Sequence, residues 1–140
     1  MPSTVAARGE WQLPADPESV AAARTAVREF AEAHGVDEAV VMDVALAVTE
    51  AVTNAVLHAF IDREPGTIRV TAATGAGELT VVVTDDGSGM RPRPDSPGLG
   101  LGLPTIGRLA AQVDLRVPEG GGTELAMTFV TPGLRGPVYD

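Results

Sequence analysis

Apolar positions along this chain change period several times, and each change marks an element. Val20, Ala23, Val27, Phe30 and Ala31 recur at three- and four-residue intervals, which predicts a helix. Asp16 before Pro17 reads as a cap with proline in the first turn, and Gly35 after His34 reads as the stop. Asp37 is placed to cap a second helix over residues 38–60. Its positions Val40, Val41, Val44, Ala47, Val48, Ala51, Val52, Ala55 and Val56 form an apolar face wide enough to be largely buried. Alternation over residues 67–74 and an apolar run over 78–84, joined by Gly75-Ala76-Gly77, predict a hairpin. The consecutive Val81, Val82 and Val83 point to a strand in the middle of a sheet, buried on both sides.

The remaining pattern is shorter. Residues 9–13 fit an edge strand, 101–111 a third helix, and 113–117 and 123–130 two strands around a glycine-rich turn at 119–122. Residues 85–97 read as a loop and 131–140 as a loose tail, which leaves a core of about 16–130 in a single domain. The order β-α-α-β-β-loop-α-β-β predicts an α+β two-layer sandwich, with helices on one face of a mixed or antiparallel sheet. It is not the regular alternation of a doubly wound parallel sheet.

Composition narrows the function classes. The 140 residues suffice for one buried core, and 44% hydrophobic residues favour a globular chain. With no cysteine, disulfides and thiolate metal sites are excluded. A net charge of −9 argues against direct nucleic-acid binding and against an anionic membrane surface. No segment reads as long enough to span a membrane, and Met1-Pro2-Ser3-Thr4 does not open a secretory signal, so a cytoplasmic protein is expected.

Three short stretches carry candidate chemistry. Glu50, Asn54 and His58 are four apart and share a face of the second helix. An amide at Asn54, among alanines and valines, needs a partner; a Mg²⁺–phosphate unit would supply one, since the amide oxygen is a hard ligand. Glu50, one turn earlier, is placed to act as a base toward a hydroxyl or water. Taken alone, Glu50 also fits a solvated helix edge and Asn54 a bond to a neighbouring loop. His58 near a helix end fits a structural role, and His34 beside Gly35 no functional one. In the second stretch, Asp85-Asp86-Gly87-Ser88-Gly89-Met90, an acid ends an apolar strand beside glycines that permit close approach. Its carboxylate suits the amino donor of adenine; a solvated turn is the plainer alternative. The third, Gly98-Leu99-Gly100-Leu101-Gly102, opens a helix and fits phosphate on backbone N–H groups. It is neither a dinucleotide fingerprint nor a Walker A loop. Arg91 and Arg93 between these stretches fit a lid over phosphates or ordinary solvated arginines, and Thr123 after Gly122 a nucleotide contact or a plain strand start.

In this order the stretches resemble the GHKL ATPase superfamily. Its N box is similar to Glu50…Asn54…His58-Ala59, its G1 box to Asp85-x-Gly87-x-Gly89-Met90, its G2 box to Gly98–Gly102, and its late Gly-Thr to Gly122-Thr123. Within it the chain most resembles the stand-alone bacterial anti-sigma factor serine/threonine kinases, through its size, its Glu-Ala-Val-Thr-Asn-Ala-Val-Leu-His-Ala segment and a short lid. The resemblance implies the Bergerat ATP-binding fold, ATP and Mg²⁺ as cofactors, Glu50 as catalytic base and Asn54 as Mg²⁺ ligand. It implies that Asp85 reads adenine and that Gly87, Gly89, Met90, Gly98, Gly100, Leu101, Gly102 and Thr123 line the nucleotide. The implied partners are a sigma factor, a STAS-type anti-anti-sigma protein phosphorylated on serine, and a second copy in a homodimer. Two departures bear on the partner alone: Gly100-Leu101-Gly102-Leu103 is as close to sensor kinases, and Leu109-Ala110-Ala111-Gln112 lacks the acid common in the anti-sigma group. Two other readings stand beside this one, a module that sequesters its partner without phosphotransfer and a histidine-kinase catalytic domain acting in trans.

Overall fold

Alternation and helical spacing become eight elements in a computed structural model that describes residues 7–58, 66–86, 102–119 and 121–134. They are β1 (Ala7–Pro14), α1 (Glu18–Ala33), α2 (Glu38–His58), β2 (Thr67–Gly75), β3 (Glu78–Asp85), α3 (Gly102–Leu109), β4 (Gln112–Arg116) and β5 (Thr123–Val130). The expected order holds. Asp16 does cap α1: its Oδ1 accepts the Ser19 N–H at 3.1 Å, and the Ser19 hydroxyl donates to the Pro14 carbonyl. Gly35, at φ +84°, ends the helix in the left-handed region.

The sheet runs β1-β2-β3-β5-β4, and every pairing among the described strands is antiparallel, so the mixed alternative is discarded. β3 and β4, joined through α3, run parallel to one another, but the β4–β5 hairpin places β5 between them, so they do not pair. β3 is central, as its apolar run implied, but it is not buried on both sides. Leu79, Val81, Val83 and Asp85 are buried, whereas Thr80, Val82 and Thr84 are only half-covered. The helices cover one face. On the other, Gln12, Arg69, Thr84, Glu124 and Arg116 fall into one row by register, with Arg116 and Glu124 paired at 3.7 Å.

α2 is the core helix. Val41, Val44, Ala47, Val48, Ala51, Val52 and Ala55 are buried against the sheet and α1, among Val27, Ile68, Val70, Val81, Leu125 and Met127. Its many alanines let the helix lie close to the strands. The expectation that no segment is long enough to span a membrane needs correcting: Glu38–Leu57 has 20 residues at mean hydropathy 1.7. The same composition serves a core helix, and 44% of that window is buried inside the protein.

The core also extends past 16–130 at both ends. β1 pairs with β2 from Ala7 to Pro14. The first part of the tail is not loose: Thr131 donates to the Gly77 carbonyl at 2.9 Å, Gly77 donates to the Leu134 carbonyl at 2.9 Å, and Leu134 is buried. The tail therefore closes the β2–β3 turn. Leu134→Ala is expected to cost about 2 kcal/mol, the low end for a buried leucine, because the site lies at the rim of the core. Urea denaturation checks this; an unchanged midpoint would mean the tail contributes nothing. Residues 135–140 lie outside the described residues.

Candidate nucleotide site

Two turns of α2 hold the first pair of candidate groups. Glu50 is half-exposed, and no hydrogen bond or ion pair engages its carboxylate among the described residues. Asn54 lies about 6 Å further along the axis and is 5% exposed. Its Nδ2 is buried with no hydrogen-bond partner among the described residues. An orphaned buried amide costs about 1–3 kcal/mol, which a chain tolerates where something else meets it. Because the amide's O and N are interchangeable by a flip, either atom can face a ligand, the oxygen toward a cation and the N–H toward a phosphate oxygen.

The second group lies where β3 ends. Asp85 is 5% exposed and sits opposite Thr123, which is fully buried, in the β3–β5 register. Cross-strand partners stand side by side on one face, so two positions that look independent in the sequence form a unit at the helix side of the sheet. Sequence reasoning missed two further features here. Asp86 Oδ1 accepts the Thr67 N–H at 3.0 Å, and Gly122 packs against the Asp85 main chain. The signal for the second was present in Glu119-Gly120-Gly121-Gly122, a glycine run longer than a turn needs.

Gly102 is the first residue of α3, so the helix start expected to face phosphate lies where the third stretch ends. Pro104 sits in the first turn, where its missing N–H costs no intrahelical bond. Gly87, Gly89, Met90, Gly98, Gly100 and Leu101, with Arg91 and Arg93, lie outside the described residues. His58 ends α2. His34, given no functional role from the sequence, makes local contacts: its Nδ1 lies 2.8 Å from the Phe30 carbonyl and its ring lies 4.4 Å from that of Phe30.

Among the described residues no three His, Cys, Asp or Glu side chains converge on a possible metal. A cation here would rest on Asn54, substrate oxygens and water, which is how Mg²⁺ is commonly held. Asp85, for which the resemblance implies contact with adenine, is buried at the end of β3. Asp85→Asn is expected to narrow an ATP-over-GTP preference by about 10-fold or more, since an amide can also present a donor to a carbonyl. Competition titration with the two nucleotides checks this; an unchanged preference would reduce Asp85 to a strand-end residue.

Known proteins resemble this chain in sequence and in fold. The profile of the histidine kinase-like ATPase domain matches residues 13–129. The chain is 31% identical over 116 residues to the anti-sigma F factor of Clostridium novyi (strain NT), covering 75% of this chain and 81% of that one. It is 39% identical over 77 residues to the serine-protein kinase RsbW of Listeria monocytogenes (serovar 1/2a), covering 55% and 49%. In fold it resembles the crystal structure of the RsbU and RsbW domains of Rv1364c from Mycobacterium tuberculosis, with a TM-score of 0.73 at 24% identity over 96% of this chain and 35% of that one. The SiaB–SiaC complex from Pseudomonas aeruginosa is similar in fold too, with a TM-score of 0.63 at 16% identity over 90% of each chain. A profile match over residues 13–129, most of the sequence, means that the chain belongs to the histidine kinase-like ATPase family.

Proposed function

We propose that this protein is an ATP- and Mg²⁺-dependent serine/threonine kinase that sequesters a sigma factor and phosphorylates a serine on a STAS-type antagonist. The observation that carries the reading is the orphaned amide of Asn54 one helical turn from the unengaged carboxylate of Glu50. The similarity over most of the chain to a protein named anti-sigma F factor and the partial similarity to one named serine-protein kinase support the partner and the reaction.

Each group has a separate task. Asp85, with Thr123 beside it, orients the adenine. Asn54 holds the cation, and the first N–H groups of α3, with the glycines of the third stretch, hold phosphate. Bound Mg²⁺ supplies neutralisation of phosphate charge, which with positioning is most of what phosphoryl transfer requires. Glu50 accepts the proton of the attacking serine hydroxyl as its oxygen bonds to the γ-phosphorus and the bond from that phosphorus to the β–γ bridging oxygen breaks, releasing ADP. Sequestering a sigma factor ties the protein to transcription, in a cytoplasmic setting, and a homodimer belongs to the same reading.

Transfer of labelled γ-phosphate from ATP to a purified STAS-type antagonist, and its loss when the acceptor serine becomes alanine, tests the proposal. Binding of the antagonist with no transfer would favour sequestration alone.

A further inference from the structure

The end of β3 is held from both sides, by groups that lie beside Asp85 without belonging to the carboxylate itself. On the β5 side, Gly122 is buried with φ +85°, a region that favours glycine. A Cβ built there would collide with the Asp85 carbonyl oxygen and would lie 3.4 Å from its carbonyl carbon and 3.7 Å from the Asp86 Cα. On the β2 side, Asp86 Oδ1 accepts the Thr67 N–H at 3.0 Å. The next residue of each neighbouring strand, Thr123 and Ile68, pairs with Asp85 in register.

From this we infer that Gly122 and Asp86 are positioning residues that clamp the Asp85–Asp86 main chain between β5 and β2 and so fix where the Asp85 carboxylate stands toward a purine. The inference rests on the nucleotide reading of Asp85. Its logic is mechanical. Asp85 is the last residue of its strand, and a strand end frays unless something restrains it. Gly122 sets the distance on one side because the backbone there has no side chain to hold it off. Asp86 closes the other side by accepting the Thr67 N–H at its exposed carboxylate, which is a restraint and not a core contact. An acceptor at position 86 is all that the Thr67 N–H requires, so asparagine can serve and alanine cannot.

Titration calorimetry with a non-hydrolysable ATP analogue and its GTP counterpart tests the clamp on the unaltered protein and on G122A, D86A, D86N and G77A. ATP-analogue affinity is expected to fall at least about tenfold in G122A, where the main chain is displaced. It should fall about threefold in D86A, the effect of one hydrogen bond, and be retained in D86N. The preference for adenine over guanine should narrow in G122A and D86A together. Gly77 also has a positive φ, +71°, but open space around its Cβ position. G77A should therefore lose stability without losing affinity, which separates backbone strain from displacement of Asp85. Unchanged affinity and preference in both G122A and D86A would overturn the clamp. If G122A does not fold, the D86A and D86N pair decides, because Asp86 is exposed. If the unaltered protein binds no nucleotide, the nucleotide reading fails. The Asp85 carboxyl carbon resonance then still tests the clamp: it should shift in D86A and not in D86N, and no shift in either overturns it.

Discussion

Asn54→Ala is expected to abolish magnesium-dependent ATP binding while leaving the ligand-free fold at least about as stable as before. The two halves of this expectation have one cause. Asn54 is buried, and its Nδ2 finds no partner among the described residues. Removing the amide takes away a desolvated group worth about 1–3 kcal/mol of destabilisation, which offsets the small void left behind. In the proposed function the same change removes the cation's protein ligand. Even groups that only support a metal ligand contribute about 10–100-fold to affinity, so loss of the ligand itself should cost at least about 100-fold. An asparagine kept for structure would behave the other way, with lower stability and intact binding. Thermal unfolding and nucleotide titration of one variant therefore separate the two roles.

Glu50→Ala should give a different phenotype from a position one turn away. Nucleotide binding should persist, because Glu50 is half-exposed and engaged by nothing that the fold needs. Transfer to the serine acceptor should fall by about 10²–10⁴-fold, the range for loss of a general base. Glu50→Gln should fall comparably, since it keeps the shape and cannot take the proton. Parallel measurement of nucleotide affinity and phosphate transfer checks the split. Equal loss of binding in the Asn54 and Glu50 variants would contradict it, and full transfer by Glu50→Gln would remove Glu50 from the reaction.

Much of the fold is legible in the amino-acid sequence, for reasons that differ by element. α1 and α2 declare themselves through spacing, because a helix buries one face over many turns and repeats its signal. β3 and β5 are equally clear as strands. The pairing of Asp85 with Thr123 is not, since their separation in sequence holds no record of register. The consecutive valines of β3 mislead in one respect. Val82 faces the uncovered side of the sheet, where a β-branched residue is favoured by the strand itself without full burial. The tail is harder to read because Pro132 and Gly133 look like a chain leaving the fold, whereas they turn Leu134 back onto the β2–β3 hairpin. Met42, Leu46 and Leu57 of α2 are large, apolar and more than two-fifths exposed, so hydropathy alone overstates how much of that helix faces inward. The site divides along the same line. Glu50 and Asn54 follow from helical spacing, while the contribution of Gly122 and Asp86 depends on which strand lies beside which.

The central claim is that Asn54 and Asp85 belong to one magnesium-dependent ATP site. Calorimetry of the purified protein with a non-hydrolysable ATP analogue, with and without Mg²⁺, tests it most directly. The account predicts one site per chain, with binding that requires Mg²⁺ and disappears in Asn54→Ala. No binding by protein shown to be folded, or binding indifferent to both Mg²⁺ and Asn54, would contradict it.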